Sequence, residues 1–284
     1  MLRLVLACLL IAAAAPARAQ DGCGGAEAPC AVGDGVYLAT LPATPEGAPM
    51  VVYLYGYGGA AERTVANTGF LGPFLARGYA VVVPEALPSR TDGPNAWGFR
   101  AGDYTPVRDD VAFVAAVIAD AAARFGLDRS RVLLAGFSIG GTMVWDIACL
   151  APGTAAAYAP VAGGFWDPLP EGCAGPAHIL HTHGFTDRVV PLEGRPIGDG
   201  DFRAQQGDIY AGLAIWRRTL GCGTRADAEE AAGDIWRKTW SGCRAGGSLT
   251  FVLHPGEHAI PRDWQDMALD WFEELPAPPA AGAR

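Results

Sequence analysis

The strongest constraint on how this chain can fold is the stretch Arg131-Val132-Leu133-Leu134-Ala135-Gly136-Phe137-Ser138-Ile139-Gly140-Gly141. Residues 132–135 predict a short buried strand and residues 142–150 a helix, with Gly136-x-Ser138-x-Gly140 between them. Strand, tight turn and helix together form the context in which a serine is presented as a nucleophile. Gly136 and Gly140 omit side chains that would clash where the chain reverses, and strain is expected in the backbone at Ser138. A chain with 38 glycines in 284 residues and five serines would produce this spacing by chance about 0.1 times. Accident is therefore a poor explanation.

The remainder alternates between strand and helix. Residues 50–55 and 80–84 are near-continuous apolar runs, the mark of strands buried on both faces. Residues 70–77 have a helical pattern. Residues 109–125 predict an amphipathic helix with Val111, Val114, Val117, Ile118 and Ala121 on one face and Gly126 closing it. Further strands are expected at 157–161, 177–181 and 249–253, and further helices at 209–220 and 263–274, the last stopped by Pro276. This order predicts an α/β fold with a mostly parallel sheet and helices on both faces.

Residues 1–19 read as an export signal: Arg3 supplies the positive end, residues 4–15 the apolar core, and Ala17-Arg18-Ala19 the cleavage site. The apolar run is too short to span a membrane. Cys8 lies too near the amino end to be a lipid-attachment cysteine. A mature chain of about 265 residues suits one large domain, 20–275, and neither a repeat nor a Pro- or Ser-rich linker marks off another. Residues 276–284 are expected to fray. The formal charge is −9 at pH 7, and losing Arg3 and Arg18 makes it more negative. An acidic chain with no basic cluster is a poor match to nucleic acid or anionic lipid. Six cysteines follow the signal: Cys23, Cys30, Cys149, Cys173, Cys222 and Cys243. An even number in an exported chain points to disulfides in one of fifteen pairings. The pairing adopted is the sequential one, 23–30, 149–173 and 222–243, which closes three local loops. No Cys-x-x-Cys or Cys/His spacing supports a metal.

A serine needs a base, and in this architecture an acid and then a histidine follow the nucleophile in chain order. His254 and His258 both lie beyond the last expected strand. The loop Pro255-Gly256-Glu257-His258-Ala259-Ile260-Pro261 favours His258 as base, and His254, coming straight off the strand, reads as a packing or hydrogen-bonding residue. Asp187, in the loop His183-Gly184-Phe185-Thr186-Asp187-Arg188, is the expected acid, with Asp167 and Asp199 as fallbacks. The oxyanion hole is expected from the backbone N–H of Ile139 and, in the turn Gly56-Tyr57-Gly58-Gly59, of Tyr57. Trp97, Phe99, Phe165 and Trp166 fall in loops after strands, where they read equally as walls of an aromatic acyl pocket or as core. Arg188 and Arg195 could meet a substrate carboxylate, although surface arginines are commoner than ligands. Residues 193–206, charged and Gly-rich with no strand pattern, read as a mobile rim.

Four segments resemble the secreted esterases grouped with polyhydroxybutyrate depolymerases and feruloyl esterases of the α/β-hydrolase fold. They are Leu54-Tyr55-Gly56-Tyr57-Gly58-Gly59, Gly136-Phe137-Ser138-Ile139-Gly140-Gly141, His183 through Asp187 to Pro191, and Glu257-His258-Ala259-Ile260-Pro261. The run from Trp216 through Cys222 to Trp240 and Cys243 is similar to that family's cysteine-closed insert before the catalytic histidine. The resemblance implies a secreted or periplasmic serine esterase with Ser138 as nucleophile, Asp187 as acid and His258 as base, and no cofactor. Its substrates would be feruloyl, short-chain acyl or hydroxybutyrate-oligomer esters. Two departures stand out: Tyr55-Gly56 where the family often has His-Gly, and Glu257 where a glycine usually precedes the histidine. An appended polymer-binding domain is not expected from this sequence, a reading that favours soluble or oligomeric esters over solid polyester. Two other classes remain. A peptidase of the same fold would share the motifs, but usually brings a propeller or lid for which this chain is too short. A non-catalytic binding module would have kept the fold and lost the triad.

Overall fold

Ten strands form one sheet through the described residues of the computed structural model, which are 22–89, 93–99, 107–198 and 204–276. The export signal at 1–19, Cys8, Asp199 and the tail beyond Pro276 lie outside the described residues. In chain order the strands are β1 (Cys30–Val32), β2 (Gly35–Thr40), β3 (Met50–Leu54), β4 (Ala80–Pro84), β5 (Val132–Phe137), β6 (Ala157–Val161), β7 (His178–Gly184), β8 (Ala228–Ala232), β9 (Ile235–Trp240) and β10 (Ser248–His254). Their order across the sheet is β1-β2-β4-β3-β5-β6-β7-β10-β9-β8. From β4 to β10 every pairing is parallel. Both margins are antiparallel. β3, β4 and β6 are buried along their whole length, which requires cover on both faces of the sheet.

Among the described residues six helices supply that cover: α1 (Ala61–Ala66), α2 (Thr68–Ala76), α3 (Asp110–Phe125), α4 (Ile139–Leu150), α5 (Ile209–Leu220) and α6 (Trp264–Glu273). α3 starts where the Asp109 carboxylate accepts the Ala112 N–H, and it stops at Gly126 with φ of 70°. α5 repeats the device with Asp208 and Gly221. α4 packs on β5, β6 and β3, α3 packs on α4, and α2 packs on α6.

The margins are what the hydrophobic pattern left out. β1 and β2 are joined by Gly33-Asp34, β8 and β9 by Gly233-Asp234, and each glycine has a φ of 56°. Two-residue Gly-Asp links of this kind are a hairpin signal in their own right. β8 is exposed at all five residues, and Glu229 and Glu230 give this outermost strand the kind of charge that blunts a sheet edge.

One expectation is corrected outside the sheet. Residues 193–206 are not a strandless rim: Arg195–Ile197 and Ala204–Gln206 form a short antiparallel ribbon. Trp166 bridges to Gln206, and the Arg195 guanidinium donates from Nε to Val189 O at 2.9 Å. Pairing between distant partners, which local composition does not announce, makes these residues strands.

The cysteines pair sequentially, Cys23–Cys30, Cys149–Cys173 and Cys222–Cys243. The second bridge ties the end of α4 to the chain just before β7. The third closes the excursion between α5 and β10. Bridges over such loops typically contribute about 2–4 kcal/mol each.

Candidate active site

Ser138, Asp187 and His258 follow the carboxyl ends of β5, β7 and β10, so three loops from one sheet edge meet. Ser138 itself has φ 58° and ψ −123°, a conformation that costs a non-glycine residue about 1–3 kcal/mol. Its surroundings over-determine it. Its N–H donates to Val161 O and its carbonyl accepts from Thr142 N–H, both at 2.9 Å. A Cβ on Gly136 would lie 2.5 Å from Gly140 O, one on Gly163 would lie 2.5 Å from Ser138 O, and one on Gly140 would strike Leu54 O. All of these obstacles are backbone, so the start of α4 can approach β3, β5 and the turn after β6 this closely only with glycine at these positions.

The three side chains form one hydrogen-bonded line. Ser138 Oγ lies 2.9 Å from His258 Nε2, and His258 Nδ1 lies 2.7 Å from Asp187 Oδ2. The other carboxylate oxygen, Oδ1, accepts the N–H groups of Val189 at 2.8 Å and Val190 at 2.9 Å. Burial alone would raise the Asp187 pKa. The hydrogen bond from His258 and those from Val190 and Val189 outweigh it, so the carboxyl titrates below its ordinary range. Phe137 packs its ring against His258 at 4.8 Å. The loop carrying His258 sits hard on Gly184, where a Cβ would be 2.5 Å from Gly256 O.

The other candidates separate clearly. His254 is buried and its Nδ1 accepts the Gly256 N–H at 3.1 Å. Asp167 is exposed, and Arg188 is exposed as well. Tyr57 lies in the turn closed by Gly59 N–H to Gly56 O at 2.9 Å, with Gly58 at φ 68°. Among the described residues neither the Tyr57 nor the Ile139 N–H has a hydrogen-bond partner, and Ile139 directly follows Ser138. Glu257, the departure before the histidine, is exposed and so carries no burial cost.

The aromatic candidates resolve mostly in favour of packing. Trp97 is fully buried, and its indole N–H donates to Tyr55 O at 2.8 Å, which positions the turn after β3. Phe165 is buried against Trp145 and Trp216. Trp97 and Phe165 thus belong to the packed core. Phe99 is buried too, and its ring meets half-buried Trp166 at 4.7 Å.

A support network was not visible in the linear pattern. The Tyr55 hydroxyl donates to Glu85 Oε1 at 2.7 Å and accepts the Ala86 N–H at 2.8 Å. Asn95 donates to the same Glu85 oxygen, and its carbonyl accepts the Gly58 N–H. Burial, then Glu85, pushes the Tyr55 hydroxyl well above its ordinary value, so it stays a donor. Tyr55 thus takes up a structural place behind the turn where the resembled family carries histidine. The only sequence signal was an aromatic residue ending a buried strand, and that is too common to single out.

Four histidines other than His258 bear on acid stability. Burial lowers the pKa of His178, His181, His183 and His254 below the ordinary 6.5, His181 most of all. The unfolded chain takes up these protons first as the pH falls through 6.5. Stability from the neutral histidines is therefore complete above 6.5 and lost below it. The depressed carboxyls Asp187 and Asp120 act in a lower window, below about 3.8, and buried Asp110, shifted upward, works in the opposite sense near there. Thermal unfolding followed by circular dichroism should show Tm lower at pH 5 than at pH 7 by about 5 °C or more. A flat Tm across that interval would contradict neutral burial.

No family model matches the chain. Over 166 residues it is 32% identical to a Nocardia uniformis subsp. tsuyamanensis protein named "Putative esterase NocK", spanning 56% of this chain and 46% of the other. It is 33% identical over 100 residues to feruloyl esterase C of Emericella nidulans, spanning 34% and 36% of the two chains. The chain spans about half the length, or less, of the curated relatives it matches. The solved acetyl xylan esterase from Aspergillus awamori superposes with a TM-score of 0.63 over 84% of this chain and 94% of that one. Their identity of 13% makes this a likeness of fold. The fold is that of the α/β-hydrolases. Within that class the chain is similar to the feruloyl esterase-like group, as its motifs implied.

Proposed function

We propose that the protein is a serine hydrolase of carboxylic esters working through an acyl-enzyme. The observation that carries this reading is the line Ser138 Oγ–His258 Nε2–His258 Nδ1–Asp187 Oδ2, at 2.9 and 2.7 Å, on a strained strand-to-helix turn. His258 takes the Ser138 proton as Oγ attacks the ester carbonyl. The Ile139 and Tyr57 N–H groups hold the oxyanion, and Asp187 stabilises the imidazolium. The alcohol leaves with the proton from His258, and water then releases the acid by the same route. No step requires a cofactor.

The partial similarity to feruloyl esterases and the earlier motifs favour an acyl group of feruloyl, short-chain or hydroxybutyrate-oligomer type. Three disulfides favour export to an oxidising compartment, in keeping with the signal read at 1–19. The deciding experiment is kcat/KM across acetate, butyrate, octanoate, 3-hydroxybutyrate-oligomer and ferulate esters, beside one anilide. Ester turnover is expected, with the anilide slower by orders of magnitude. Turnover of the anilide alone would move the protein to the peptidases. Folded, disulfide-closed protein that turns over nothing and takes up no organophosphorus probe would end the reading.

A further inference from the structure

Behind the candidate triad lies a second line of polar side chains, all of them buried. Trp145 on α4 donates its indole N–H to His181 Nδ1 at 3.2 Å. His181 Nε2 lies 3.1 Å from His183 Nδ1, and His183 Nε2 lies 2.8 Å from Val190 O. Both histidines, two apart on β7, are 0% exposed. They project from the same side of the strand because side chains alternate.

The direction of this line is set at both ends. An indole N–H can only donate and a carbonyl oxygen can only accept. His181 Nδ1 must therefore accept, leaving its proton on Nε2. His183 Nδ1 must accept that proton's hydrogen bond, leaving its own proton on Nε2 for Val190 O. Each ring can satisfy this only as the neutral Nε2–H tautomer. Burial, together with the mutual influence of the pair, favours the same neutral state. The charged or titratable groups facing His183 are His181 beside it on β7, Asp187 in the following loop, and His254 and His258 from β10 and its loop.

The line ends on a residue that matters to the site. Val190 holds Asp187 Oδ1 through its N–H at 2.9 Å, while its carbonyl is held by His183. His183 Nε2 is also 3.6 Å from Asp187 Oδ2, too far for a hydrogen bond. While Val190 O occupies the His183 proton, Oδ2 is left to His258. Without that engagement the N–H would compete with His258 for the same oxygen.

We propose that Trp145, His181 and His183 are positioning residues that fix the Asp187 carboxylate, with Oδ1 on the backbone and Oδ2 on His258. The proposal rests on reading Ser138, His258 and Asp187 as the triad, and it gives two orders of test. The first is independent of turnover. In ¹⁵N-histidine NMR of the whole wild-type protein from pH 5.5 to 8, His181 and His183 should both show the Nε2–H tautomer and not titrate. An Nδ1–H tautomer or titration at His183 overturns the proposal. His183→Phe, which keeps a ring but no donor, should shift or broaden the low-field proton of the His258–Asp187 hydrogen bond. An unchanged resonance in folded protein overturns it equally.

The second test is kinetic, with p-nitrophenyl acetate. His183→Phe should lower kcat about 10- to 100-fold with KM within twofold, at equal folded fraction. His183→Gln, which keeps an acceptor and an N–H donor, should recover most of the loss. A merely packing residue would show neither the kcat-only effect nor the rescue, and either failure counts against positioning. Should the Phe variant not fold, Trp145→Phe removes only the donor at the far end. Its His181 Nδ1 resonance should then move to that of an acceptor without a donor, both rings should keep Nε2–H because Val190 O still fixes that end, and kcat should fall several-fold, whereas a wild-type Nδ1 shift and rate would refute the relay. A wild-type protein inert to esters would instead refute the triad reading, and the tautomer spectra would still decide whether the line is ordered as stated.

Discussion

Ser138→Ala should lower kcat/KM for the best ester by about 10⁵- to 10⁶-fold while leaving the fold intact. The loss is large because among the described residues Ser138 Oγ is the hydroxyl that His258 Nε2 holds, and small enough to measure because the two proposed oxyanion donors would still polarise a bound carbonyl for water. The change should cost little stability: Ser138 Oγ is hydrogen-bonded to His258 Nε2, and alanine meets the same strain at φ 58° that serine does. Removing His258 in the same chain should subtract almost nothing further, since the two groups act as one unit and their effects do not add. The check is a cycle of wild type, S138A, H258A and the double variant, with Tm measured on each. If S138A, shown to be folded, kept more than about a hundredth of the rate, the reacting group would have to be elsewhere.

The parts of this molecule that could be read from its sequence are those in which local chemistry and tertiary packing agree. Residues 209–220 are helical in pattern, and the structure adds a cap at each end, at Asp208 and Gly221. β3, β4 and β6 are apolar throughout because both their faces are covered. β8 was hidden because Ala228-Glu229-Glu230-Ala231-Ala232 has the composition of a helix, and only its pairing with β9 makes it a strand. The Gly233-Asp234 link is the local sign of that pairing. The same division runs through the site. Ser138, Asp187 and His258 were legible since each sits beside a strand end in a fixed chain order. Trp97 was ambiguous from its place in a loop, because nothing in the sequence shows its indole turning inward to Tyr55 O. His181 and His183 looked like ordinary members of a strand. What distinguishes them, complete burial between a donor-only tryptophan and an acceptor-only carbonyl, exists only after β7 has been packed against α4.

Asp187→Asn should reduce kcat by about 10⁴-fold with KM little changed, although the substitution removes almost no volume. The reason lies in which way the new amide must face. Asp187 Oδ1 accepts two backbone N–H groups, from Val189 and Val190. Only the amide oxygen can stand there, since an NH₂ would set donor against donor. The NH₂ is therefore turned to His258 Nδ1, 2.7 Å away in the wild type. His258 can accept that bond only by carrying its proton on Nε2, the nitrogen that faces Ser138 Oγ. A ring that presents N–H to the serine cannot take the serine's proton, so the proposed base is lost although every atom is close to its place. NMR of the Asn variant should show His258 as the Nε2–H tautomer, where the wild type shows Nδ1–H. Asp187→Ala imposes no such orientation, so it should be impaired without forcing that tautomer. An Asn variant that kept a tenth of the wild-type kcat would mean that the carboxylate orienting His258 is not Asp187. Exposed Asp167 would then have to be tested next.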